Sequence, residues 1–82
     1  MLVVKVLGPG CANCQRLEKE ARVALDEAGV EYVIEKVTDY ADIMAYNILS
    51  TPALVINEQV VSAGRIPKHT QIVNWVKQFS AA

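Results

Sequence analysis

The chain has 82 residues, 52% of them hydrophobic, with a formal net charge of -1. That is the size of one domain near the lower end of autonomous folding, with enough apolar content for a compact, ordered core. With no basic block, it has no electrostatic footprint for nucleic acid or an anionic membrane, so proteins and small molecules are the expected partners. The apolar stretch after Met1 is too short for a secretory signal core or a transmembrane helix and is interrupted by Lys5, which points to a soluble cytoplasmic protein.

Leu2 to Leu7 is apolar and β-branched apart from Lys5, and Gly8-Pro9-Gly10 punctuates its end, predicting a buried strand and a turn. From Ala12, the residues Leu17, Ala21, Ala24, Leu25 and Ala28 recur at helical spacing, and Gly29 is a good C-cap. Val30 to Val37 reads as a second strand. Asp39 then caps a short helix running to about Asn47, with Ile43, Met44 and Ile48 on its apolar side.

Thr51-Pro52 breaks that pattern. Ala53 to Ile56 and Gln59 to Ala63 form two short runs around Asn57-Glu58, a hairpin closed by Gly64. Pro67 precedes a last helix whose stripe is Ile72, Val73, Val76 and Phe79, with Trp75 beside it, and Ser80-Ala81-Ala82 reads as a frayed end. The order β-α-β-α-β-β-α favours an α/β three-layer sandwich over residues 1–82. Two parallel strands joined by a right-handed crossover and an antiparallel hairpin form a four-stranded mixed sheet with helices on both faces.

The only two cysteines, Cys11 and Cys14, stand at the first strand-to-helix junction as Cys-Ala-Asn-Cys. Ligands commonly bind beyond the carboxyl ends of parallel strands. A reducing compartment makes such a pair catalytic or metal-binding before it is a staple, and so short a loop restrains the unfolded chain little. Unpaired N-H groups and the helix dipole favour a thiolate at a helix start. Cys11 precedes the helix body and is assigned as nucleophile, Cys14 as the more buried resolving thiol. Asn13 adds a short polar group within the loop and Ala12 leaves the approach open.

Two thiolates also suit copper(I) or zinc, so soft-metal binding or transfer is the alternative. Copper-carrying ferredoxin-like domains usually have a methionine two residues before the first cysteine and a final strand; here there are Pro9 and an amphipathic helix. A closed zinc site needs about four ligands. Beyond the cysteines the one obvious candidate is His69, at the start of the last helix, where a solvated polar role is the plainer reading. Arg16 is expected as an ordinary exposed arginine that can bias the local potential. Trp75 and Phe79 are expected in the core, and Tyr40, Met44 and Tyr46 in core or edge packing beside a possible substrate groove.

Gly10-Cys11-Ala12-Asn13-Cys14, Thr51-Pro52 before the hairpin, Gly64-Arg65 after it and the element order together resemble the thioredoxin superfamily. More narrowly, they resemble the small thioredoxin-like proteins of the redox-active disulfide protein 2 family. The resemblance implies a thioredoxin-like fold and a thiol-disulfide oxidoreductase that acts on protein disulfides or dithiols without an organic cofactor or metal. A reductase of unknown type would recharge it. It also implies a cis bond before Pro52, against a prior of about 5–6% for an arbitrary X-Pro, and makes Thr51 and Pro52 substrate-positioning residues.

Departures from the larger thioredoxins fall at Gly10, where they carry tryptophan, at Ala12-Asn13 in place of Gly-Pro, and at Lys5. Lys5 stands where they carry a buried proton-transferring carboxylate, so water, another group or a neutral Lys5 must serve. These residues tune the site. A glutaredoxin-like, glutathione-linked enzyme is a further alternative, but its glycine pair and acidic residues are replaced here by Ala63-Gly64-Arg65-Ile66.

Overall fold

Among the described residues, four strands and three helices follow one another as β1 (Leu2–Leu7), α1 (Ala12–Ala28), β2 (Tyr32–Val37), α2 (Tyr40–Met44), β3 (Ala53–Ile56), β4 (Gln59–Ala63) and α3 (His69–Ser80). A computed structural model describes residues 2–10, 12–48 and 50–80, with the backbone alone at Ser80. The sheet order is β2-β1-β3-β4, with β1 parallel to β2 and the other pairs antiparallel.

Alternation along β1 divides the core. Val4 and Val6 join Leu54 and Ile56 against Leu17, Ala21 and Leu25 of α1 and Ile72 and Val76 of α3. Leu7, Ala53 and Val55 face the other way, onto Ile43 and Ile48. Helices α1 and α3 therefore cover one face and α2 the other, completing three layers. All four residues of β3 are buried, as a central strand requires. Trp75 and Phe79 are partly buried against the larger cluster, as their spacing implied. No helix among the described residues is long and apolar enough to cross a membrane.

Two elements are shorter than their sequence patterns imply. β2 begins at Tyr32, not Val30, because it is an edge strand that pairs, among the described residues, with β1 alone; its ladder opens at the Leu2–Tyr32 pair. Helix α2 starts as expected, with the Asp39 carboxylate accepting from Ala41 N at 2.9 Å. It stops at Met44. The N-H groups of Tyr46 and Asn47 bond three residues back, to Ile43 and Met44, and Asn47 takes φ +57°. That tight turn carries Ile48 into the core and leaves Met44 at the surface.

Asn57 and Glu58 both adopt positive φ, +48° and +68°, the twist that a two-residue hairpin loop needs. Leu54 pairs with Ser62 and Val55 with Val60, so Val61 is an extra residue in β4. Ser62 is buried opposite Leu54, and its Oγ has no hydrogen-bond partner among the described residues. Ser62→Ala should therefore raise stability by about 1 kcal/mol, read as a melting midpoint roughly 4–8 °C higher. A lower midpoint would show that the hydroxyl is satisfied.

Candidate functional site

The segment leaving β1 is held before α1 begins. Gly8 N donates to Val37 O at 2.9 Å, tying the end of β1 to the end of β2. Gly8 is buried, whereas Pro9 and Gly10 are exposed. The two glycines serve different needs. Gly10 has φ +91° with open space around it, so backbone conformation demands it. At Gly8 the demand is spatial: a β-carbon would collide with Cys14 Sγ and lie 3.9 Å from Pro52 Cα.

Cys14 is the third residue of α1 and is 5% exposed, while Ala12 and Asn13 on the same turn are exposed. Its burial follows from the stripe Cys14, Leu17, Ala21, Ala24 and Leu25, which faces the sheet. Cys14 shares a cavity of about 60 Å³ with Gly8, Gly10, Glu18, Lys36 and Thr38. Cys11 lies outside the described residues.

One turn on, Glu18 accepts from Lys36 Nζ at 3.0 Å and from Arg22 at 3.1 Å. Burial opposes its charge, but those hydrogen bonds outweigh burial and hold the carboxyl below its ordinary range. An ionised carboxylate and an ammonium thus border the cavity that holds the Cys14 sulfur. Helical register alone hinted at Glu18, four residues after Cys14; nothing local marked Lys36.

The peptide bond between Thr51 and Pro52 is cis. Pro52 is buried and Thr51 exposed. Pro52 O accepts from Gly64 N at 2.9 Å, and Gly64, at φ +76°, packs so closely on Ser50 that a β-carbon there would strike Ser50 Oγ. The turns at Gly8, Pro52 and Gly64 therefore meet at one end of the sheet, next to Cys14. Tyr40 and Met44 are 75% and 47% exposed and line a cavity with Ile43, Ile48, Ser50 and Thr51. They are surface residues at that edge, so of the expected core or edge packing they take the edge position; Tyr46 packs, half-buried, on the smaller cluster.

Lys5 lies on the α2 face, opposite to its neighbour Val6. Its Nζ donates to Glu58 Oε1 at 2.6 Å and to Tyr46 Oη at 3.0 Å, and the tyrosine hydroxyl donates to Glu58 Oε2 at 3.1 Å. These hydrogen bonds raise the Lys5 pKa well above its usual value. A carboxylate and a phenol oxygen gathered on its Nζ favour the ammonium over a neutral proton acceptor. The residue clamps the hairpin tip and the α2 turn to β1, and sequence spacing carried no sign of that clamp.

His69 N donates to Glu20 Oε2 at 3.0 Å, and its ring lies 3.5 Å from the same carboxylate and 3.9 Å from Glu27. It joins α3 to α1. Arg16 is exposed and lines a cavity with Glu20 and His69. Among the described residues no three His, Cys, Asp or Glu side chains gather as a metal site.

Residues 2–77 match the thioredoxin domain family. The chain is 33% identical over 72 residues to a thioredoxin of Methanothermobacter thermautotrophicus, covering 88% of this chain and 94% of that protein. It is 29% identical over 79 residues to a thioredoxin of Methanocaldococcus jannaschii, covering 96% of this chain and 91% of the relative.

Proposed function

The chain belongs to the thioredoxin domain family, with a thioredoxin-like fold and relatives that support a thiol-disulfide oxidoreductase type of role, and from that premise we propose that Cys11 and Cys14 form its redox pair, exchanging disulfides with partner proteins. One observation carries the reading further than family membership. The Cys14 sulfur is buried against Gly8, beside Pro52, at the first turn of α1.

In the proposed cycle the Cys11 thiolate attacks one sulfur of a partner disulfide. The partner S–S bond breaks, a Cys11–partner disulfide forms, and the departing partner thiolate takes a proton from solvent. Cys14 then gives up its proton and attacks Cys11 Sγ. A Cys11–Cys14 disulfide forms and the second partner thiol leaves. Two electrons have passed to the partner, and a donor dithiol restores the pair by the reverse exchange.

Burial suits Cys14 to the second step, since a sulfur closed off from solvent is withheld from bulky disulfides and reserved for one bound beside it. Thr51 and Pro52 line the partner's path in this reading, the backbone of the exposed residue Thr51 meeting an extended segment and exposed Tyr40 and Met44 bordering it. In this reading Glu18 and Lys36, which line the cavity shared with Cys14, take the place of the strand carboxylate of larger thioredoxins.

The test is covalent capture. Cys14→Ser should hold insulin as a one-to-one mixed disulfide through Cys11, released by dithiothreitol. Cys11→Ser/Cys14→Ser should hold none. No adduct with Cys14→Ser, or equal adducts through Cys14 in Cys11→Ser, would refute the assigned order of attack.

A further inference from the structure

We propose that Gly8 is a positioning residue for the second step of exchange, the space left by its missing β-carbon being the seat of the Cys14 sulfur. This rests on the dithiol reading above for its catalytic meaning, but the seat itself is geometric. Any other residue at this position brings a β-carbon onto Cys14 Sγ.

Neither backbone can retreat cheaply from that contact. Gly8 N is bonded to Val37 O, and the preceding Leu7 is paired with both Val37 and Ala53, so the backbone is fixed from two neighbouring strands. Pro52 Cα lies 3.9 Å from the same β-carbon position. On the other side, Leu17, Ala21, Ala24 and Leu25 are fully buried and anchor α1 against the sheet. With strand and helix both held, the sulfur is what must move.

A resolving thiol has to reach the mixed disulfide along the S–S axis, and displacement of a reacting atom by about 1 Å can cost roughly a hundredfold in rate. The β-carbon of Cys14 is itself 3.4 Å from the Gly8 β-carbon position, an ordinary contact. The conflict therefore belongs to the sulfur alone. This separates Gly8 from Gly10 and Gly64, whose positive φ already explains them.

The experiment is a double-mutant cycle with a kinetic arm. Under reducing conditions Gly8→Ala should lower the melting midpoint by roughly 5–15 °C. In a Cys14→Ala background the same change should lower it by no more than about a third as much. Equal losses in both backgrounds would overturn the proposal. If Gly8→Ala alone fails to fold, folding of Gly8→Ala/Cys14→Ala supports it and failure of both overturns it.

In rapid-quench assays with insulin, Gly8→Ala should form the Cys11 mixed disulfide at near the wild-type rate and resolve it at least about tenfold more slowly. Unchanged resolution, or equal slowing of both steps, would contradict the positioning role. The melts do not depend on exchange activity. A coupled melt in a protein whose wild type reduces no disulfide would refute the dithiol reading and the catalytic role of the seat with it, leaving the packing result standing.

Discussion

Cys11→Ser is expected to reduce insulin-disulfide turnover to the uncatalysed background, a loss of roughly a thousandfold or more, because no other nucleophile can begin the cycle. Cys14 is 5% exposed and pressed against Gly8, so it cannot take over attack on a bulky protein disulfide. A hydroxyl at position 11 does not ionise near neutral pH and is a far weaker nucleophile toward sulfur than a thiolate. The measurement is the rate of insulin reduction with dithiothreitol as donor. Retention of even a tenth of the wild-type rate would move the nucleophile elsewhere.

Leu17→Ala should have the largest effect on stability. Leu17 is fully buried in the cluster between α1, the sheet and α3, one turn after Cys14 on the same stripe. Truncation of such a leucine costs about 2–5 kcal/mol, the lost burial being compounded by the cavity left behind. Total stability of a domain this size is only about 5–15 kcal/mol, so a fall of roughly 10–30 °C in the melting midpoint is expected. Val23→Ala, at an exposed site on the same helix, should change stability by less than about 0.5 kcal/mol. Similar losses for the two variants would mean that α1 does not anchor Cys14 through its buried stripe.

These effects show which parts of the molecule could be read in one dimension. β1 has the bounds its punctuation implies, Leu2 to Leu7, because an apolar run ended by Gly-Pro-Gly leaves no alternative period. The hairpin strands Ala53–Ile56 and Gln59–Ala63 were legible for a similar reason, the two residues between them being able to turn the chain. The α2 ending was not, since apolar spacing through Ile48 fits a helix as well as the turn that replaces one. Only packing of Ile48 beneath the sheet distinguishes them.

At the site, the cis bond before Pro52 was accessible through family resemblance and not through local chemistry. The seat at Gly8 was hidden because it is a contact between a strand end and a helix turn, and the sequence shows only a glycine in a turn. Lys5 was singled out only because it stands where larger thioredoxins carry a carboxylate; alternation places it on the α2 face, where Glu58 and Tyr46 bind it.

The central claim is that Cys11 and Cys14 form one reversible dithiol couple, and a redox titration of metal-free protein followed by intact mass tests it most directly. The account predicts one two-electron transition, with a tenfold change in the oxidised-to-reduced ratio per about 30 mV and loss of two hydrogens on oxidation. Both Cys11→Ser and Cys14→Ser should abolish it. A wild-type protein that keeps both thiols reduced across the range, or that retains copper(I) or zinc in stoichiometric amount through the same cysteines, would contradict it.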